Sequence, residues 1–293
     1  MIESAQPLGS PAGAQPASAL WTWHGYCSAA LLMFNPFRTF VVATSLVTSS
    51  MIATGSAEAE VAAPQKSVVL VHGAFADGSS WDRVVTILQA KGYNVVAVHE
   101  SLTSLANDVA TTKRAIDAQP GEVILVGHSY GGAVITEAGN DPKVTALVYI
   151  AAFAPDTGES INDLGKGQTP PPWVGAMKVD SAGFASLPQS TVLADFAQDV
   201  PAAEARLLAS KQGPIFAGSF NEKIRTAAWH TKPVWYIQTA LDHMVNPVAQ
   251  AAMAKRMHAI VTSLQASHAA MISKPKEVAE VILAAASGAR TAK

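Results

Sequence analysis

Cysteine is almost absent from this chain: Cys27 is the single thiol among 293 residues. One cysteine can form neither an internal disulfide framework nor a thiolate metal cluster. A chain of this length builds a core that needs no covalent staples, so the lack of disulfides does not argue against an oxidising compartment. Charge is also scarce. Charged residues make up 14% of the chain against 49% hydrophobic ones, and the formal net charge is −2 with no block of one sign. A nucleic-acid footprint needs a basic face or stripe, and none is visible. The charge balance selects no substrate sign. There is no internal repeat. The composition is globular, and the length suits one large domain or two small ones.

The first 59 residues read differently from the rest. From Met33 the chain runs MFNPFRTFVVATSLVTSSMIATGSAEAE, with Arg38, then an apolar stretch from Thr39 to Ile52, then Ala57-Glu58-Ala59. A basic residue, an apolar run and an A-x-A site are the parts of a secretory signal in their usual order. Residues 33–59 are therefore expected to be a signal peptide, with the mature chain beginning at Glu60 in the periplasm or outside the cell. A membrane anchor and a disordered tail are the alternatives. The apolar core is short and rich in Ser and Thr, which disfavours the anchor, and no stable membrane association is expected after cleavage. Residues 1–32 fit no part of a signal, and we expect the natural start at Met33.

From Ser67 onward, short apolar runs alternate with helical patterns. Strands are expected at SVVLVH (67–72), NVVAVH (94–99), VILVG (123–127), VTALVYIAA (144–152), VWYIQTA (234–240) and AIVTSLQ (259–265). Helices are expected near 80–91, 104–118, 131–138, 247–258 and 276–286. Continuous apolar strands separated by helices imply a mostly parallel sheet of about six strands, buried on both faces. Residues 155–231 break this rhythm with Pro- and Gly-rich sequence such as KGQTPPPW, and helical pieces are plausible near 187–196 and 202–211. So long an insertion in an α/β core is usually functional, and a helical cap over the site is expected within a domain spanning 60–293.

The chemistry is concentrated at four places. Gly127-His128-Ser129-Tyr130-Gly131 is a G-x-S-x-G sequence between a strand end and a helix start. The pentapeptide alone is a weak signal. Its strand–turn–helix setting makes Ser129 the candidate nucleophile, exposed on a sharp turn that flanking glycines permit. A serine hydroxyl needs a base. His268 follows the last strand, at the end of the sheet where ligands bind, whereas His258 precedes that strand. His243 and His230 lack a comparable position. Asp242, two residues after the strand ending at Ala240, is the candidate acid, with Asp156 the alternative. The backbone N–H groups of Tyr130 and Ala74 are the candidate oxyanion donors. His72 and Trp81 read as structural. Phe184 and Phe196 either line an acyl pocket or fill the core of the insertion.

VVLVHGAFADGSSW, GHSYGG, the Asp242 segment and SHAAMISKP together resemble the α/β-hydrolase superfamily, and within it bacterial relatives of the plant methylesterase and hydroxynitrile-lyase branch. The resemblance covers Ser67 to the C-terminus. It implies an α/β-hydrolase fold and a triad of Ser129, Asp242 and His268, with Ala74 and Tyr130 at the oxyanion hole and no metal or cofactor. Hydroxynitrile lyases of this branch carry Thr where Gly73 stands and Lys where Ala269 follows the histidine, so the departures point towards ester hydrolysis, and the aliphatic and aromatic cap makes a small apolar ester or lactone the expected substrate. A cofactor-free lyase or oxygenase on the same triad, and a non-catalytic ligand receptor, are the rival readings. N-terminal sequencing of the exported protein should give Glu60; a mature terminus upstream of Met33 would contradict the proposed start.

Overall fold

A computed structural model of the protein describes residues 66–288. The expected signal peptide at 33–59, and Cys27, lie outside the described residues.

The chain enters through β1 (Ser67–Val71), α1 (Asp82–Ala90), β2 (Asn94–Ala97), α2 (Leu105–Asp117), β3 (Val123–His128), α3 (Gly131–Ala138) and β4 (Val144–Ile150). After a long insertion it resumes with β8 (Val234–Thr239), α8 (Pro247–Arg256), β9 (Ile260–Leu264), α9 (Ala270–Ser273) and α10 (Pro275–Ser287). The six strands form one sheet in the order β2-β1-β3-β4-β8-β9, and every neighbouring pair is parallel. The expected fold class is therefore borne out. β1 and β3 are buried along their whole length, which is why their sequences are unbroken apolar runs rather than alternating ones. β9 is an edge strand and alternates between half-buried and exposed residues.

Local chemistry sets the element ends. Ser104 is extended and its Oγ accepts from the Asn107 N–H, capping α2. Asn246 does the same for α8 towards Val248, with Pro247 at the first helical position, where a missing N–H costs nothing. β4 stops two residues short of the expected end because Ala151 takes φ 47° and bends the chain away. The expected helix at 80–91 begins instead as a 3₁₀ turn, Gly78–Trp81, capped by Asp77.

The insertion contains α4 (Ile161–Leu164), α5 (Pro172–Ala176), β5 (Lys178–Val179), β6 (Phe184–Ser186), α6 (Gln189–Thr191), α7 (Ala202–Lys211) and β7 (Ile215–Phe216). α6 runs directly into a single π-turn, Val192–Phe196. β5, β6 and β7 form a small antiparallel sheet, an addition to the helical pieces expected there. Among the described residues no helix is long and apolar enough to cross a membrane.

The sheet order reverses between β1 and β3, and such switch points open a crevice at the carboxyl ends of the strands. Val71 at the end of β1 pairs in register with Gly127 near the end of β3. That pairing brings the Gly73–Ala74 loop beside the turn carrying Ser129. A Cβ on Gly127 would lie 2.6 Å from the Gly131 carbonyl oxygen, and one on Gly131 would lie 2.6 Å from that of His72. Gly127→Ala should therefore cost roughly 1–3 kcal/mol, the scale of an overpacked core site, read as a lowered midpoint in denaturant. An unchanged midpoint would mean the turn is not tightly packed.

Candidate active site

Ser129 has φ 52°, the left-handed region, and so has Phe75 in the neighbouring loop at φ 61°. Non-glycine residues enter this region at a cost and cluster at functional sites. Ser129 is held there by its backbone. Its N–H donates to the Ile150 carbonyl at 3.2 Å, and its own carbonyl accepts from Gly132 at 3.0 Å and Phe153 at 3.1 Å. A Cβ on Gly73 would meet the Ser129 Cβ at 2.7 Å, so glycine at 73 is what lets the two loops touch. Ser129 is almost fully buried, with 7% of its surface accessible.

His268 and Asp242 are both buried and joined, Nδ1 to Oδ2, at 2.8 Å. An ionised carboxylate only accepts, so Nδ1 carries the proton and Nε2 is left with a lone pair. That Nε2 is buried and has no partner among the described residues. The structure thus brings His268 and Asp242 together, and no hydrogen bond joins Ser129 Oγ to His268. Unliganded sites often show this bond long or unformed. His128, the residue before Ser129, links the serine turn to the histidine: its ring centroid lies 4.6 Å from that of His268.

Asp242 is heavily supported. Oδ1 accepts from the N–H groups of Met244 (2.7 Å) and Val245 (2.9 Å). Oδ2 accepts from Thr239 Oγ1 (2.8 Å) and Gln250 Nε2 (2.9 Å) as well as from His268. Burial raises the Asp242 carboxyl, but the charge and hydrogen bond of His268, with the Val245 amide and Thr239 hydroxyl, more than offset it, and the net direction is downward. The alternative acid, Asp156, pairs instead with His230 at 2.7 Å on a more exposed face.

Ala74 and Tyr130 are buried, and among the described residues neither N–H has a hydrogen-bond acceptor. The Tyr130 phenol donates to Asp108 Oδ2 at 2.9 Å, and Asp108 Oδ1 accepts from the Leu102 N–H at 3.0 Å. His72 accepts the Glu100 N–H at Nε2 (3.2 Å), so its Nδ1 carries the proton and donates to the Gly73 carbonyl (2.9 Å). Burial pushes the His72 imidazole below its ordinary value, and the ring serves as a neutral brace for the loop. Trp81 is fully buried and meets His128 edge-on. Of the two insertion phenylalanines, Phe196 reaches the site, edge-on to His268 at 4.9 Å, while Phe184 packs on Phe216 in the small sheet. Phe75 meets Trp173 at 6.2 Å.

Several contributors carry no sequence signal of their own. Thr239 and Gln250 hold the carboxylate, Gln250 also accepting the Thr239 N–H at 3.0 Å. His128 Nε2 is bonded to the His268 carbonyl at 2.9 Å; a carbonyl only accepts, so His128 donates. Among the described residues no cluster of His, Cys, Asp or Glu could hold a metal ion.

A family model described as alpha/beta hydrolase family matches residues 68–281. A pyrethroid hydrolase from Sphingobium wenxiniae is 31% identical, over 73% of this chain and 85% of its own. Methylesterase 8 from Arabidopsis thaliana is 26% identical, over 74% of this chain and 88% of its own. The crystal structure of a pyrethroid hydrolase from Sphingobium faniae superposes with a TM-score of 0.66 at 25% identity, covering 77% of this chain and 99% of that one.

The lowered Asp242 carboxyl makes a pH prediction. The stability it contributes is fully present above its ordinary value of 3.8 and is lost as pH falls through the lower folded value. Asp242→Asn should therefore flatten the decline of stability below that point. A variant whose acid limb matches the parent's would show that Asp242 is not the coupled group.

Proposed function

The chain belongs to the alpha/beta hydrolase family and is a carboxylic ester hydrolase, and from that premise we propose that it works through Ser129, His268 and Asp242 by way of an acyl-enzyme. The observation that carries this reading is the buried His268–Asp242 bond, which leaves Nε2 of His268 without a partner among the described residues, with the ring packed on His128 of the strained serine turn.

His268 Nε2 takes the proton of Ser129 as Oγ attacks the ester carbonyl. The imidazolium that forms is stabilised by Asp242, which stays ionised. The developing oxyanion is received by the N–H groups of Ala74 and Tyr130, two donors with no other acceptor to release. The alcohol leaves with the proton that His268 returns. Water then attacks the acyl-enzyme, His268 takes its proton, and Ser129 is restored as the acid departs.

The substrate we assign is a small apolar ester or lactone. Phe196 supplies an aromatic edge against the histidine, and Phe75, on the loop beside the serine turn, packs on Trp173 of the insertion; relatives named for pyrethroid hydrolysis and as methylesterases support an ester. Glycine at 73, beside Ser129, supports hydrolysis over cyanohydrin cleavage, because it offers no hydroxyl where the lyases of this branch carry threonine.

A panel of p-nitrophenyl esters of rising chain length tests the reading. The parent should turn over short members, Ser129→Ala should lose about 10³-fold or more in kcat, and Asp242→Asn about 10³–10⁴-fold, with thermal unfolding of Ser129→Ala unchanged. Activity retained in Ser129→Ala would displace the nucleophile; a folded parent that turns over no ester would favour a receptor.

A further inference from the structure

The π-turn of the insertion and the three residues after it touch the chain on both sides of each of the two buried polar groups. Around Asp242, Gln198 Nε2 donates to the Leu241 carbonyl at 2.6 Å. His243 Nδ1 lies 3.3 Å from the Ala194 carbonyl and 3.4 Å from Asp195 Oδ1. Around His268, the Ala269 N–H donates to the Phe196 carbonyl at 3.1 Å. The Ser267 N–H donates to Asp199 Oδ2 at 2.9 Å, and the Ser267 hydroxyl donates to Asp199 Oδ1. The Phe196 ring meets the rings of His268 and His128 edge-on, at 4.9 and 6.0 Å.

The physical need is plain. Asp242 and His268 sit on loops beyond the ends of β8 and β9, where the sheet no longer supplies partners for backbone groups. The side chain of His268 is tied only to Asp242, so its aim depends on where its backbone is held. His128 fixes the His268 carbonyl from the core side. The N–H groups before and after it are fixed from the insertion. Ser267 is fully buried while Asp199 is exposed, so the carboxylate reaches in from the surface to satisfy two buried donors. A π-turn is uncommon and recurs at functional sites; here it turns the Phe196 carbonyl and ring towards His268.

We propose that Ala194–Asp199 is a positioning segment for the catalytic pair, with Asp199 the positioning residue that holds His268 through Ser267. This rests on the reading of His268 as the base. It also makes the alignment of that base conditional on the insertion being seated, because the acceptors belong to the insertion and not to the sheet.

The test compares the parent with Asp199→Ala, Asp199→Asn, Ser267→Ala and the Asp199→Ala/Ser267→Ala double variant. Four quantities are read: kcat and KM on p-nitrophenyl butyrate, the rate of Ser129 labelling by a fluorophosphonate probe, and Tm. Asp199→Ala should lower kcat and the labelling rate together by about tenfold, the scale of a small misplacement of a catalytic group, with KM within about twofold and little change in Tm. Asp199→Asn, which can still accept from Ser267, should recover most of the loss. The double variant should be no worse than the poorer single one, as for residues acting through one contact. Parent-like kcat and labelling in Asp199→Ala would overturn the proposal. So would a fall in kcat that tracks a fall in Tm and is equal in the Asn variant. A parent that is not labelled at Ser129 would instead overturn the reading of the triad, and this inference with it.

Discussion

The turn from β3 into α3 is the constraint on which the site depends. Ser129 sits at φ 52°, a conformation that costs of order 1–3 kcal/mol for a residue with a side chain. Three backbone hydrogen bonds over-determine it. Glycines at 73, 127 and 131 leave no room for any other residue where β1, β3 and α3 converge. Because the approach is so close, the loop after β1 and the serine turn behave as one piece. Ala74 and Tyr130, whose N–H groups have no acceptor among the described residues, belong to these two segments, and the folding energy of the buried sheet offsets the local strain.

The polar groups follow a graded scheme. Asp242 accepts from five donors, so it remains an anion although buried, and its carboxyl is held below the ordinary range. His128 goes the other way: burial, with His268 beside it, depresses its imidazole well below the usual value, so it stays a neutral donor to the His268 carbonyl. Behind Tyr130, burial raises Glu100 and Asp108, and the Tyr130 phenol is pushed up by burial and by Asp108. One charge is thus kept beside His268, and charge is suppressed around it.

Much of this was legible in the sequence because the fold is built from local signals. Six short runs rich in apolar residues marked the six parallel strands, and G-x-S-x-G between a strand and a helix made Ser129 the candidate nucleophile. Position after the last strand, rather than before it, separated His268 from His258, and Asp242 and Asp156 each followed a strand, with Asp242 the first choice. In the structure His268 pairs with Asp242, and Asp156 pairs with His230. What was hidden has a common cause. Asp199 meets Ser267 across 68 residues, and His128 meets His268 across 140. No spacing or periodicity encodes contacts so remote. The small sheet escaped because its strands are two or three residues long, too short to alternate visibly. Ala151 carried no warning that it would turn left-handed, since nothing in its side chain requires it.

The central claim is that Ser129 carries the acyl group between the two steps. Rapid quenching of the parent with a p-nitrophenyl ester, followed by peptide mass spectrometry, reads this directly. The account predicts an adduct of the acyl mass on the peptide containing Ser129, formed with the burst of p-nitrophenol and absent in Ser129→Ala. Turnover with no adduct at Ser129, or with the acyl group on another residue, would contradict it.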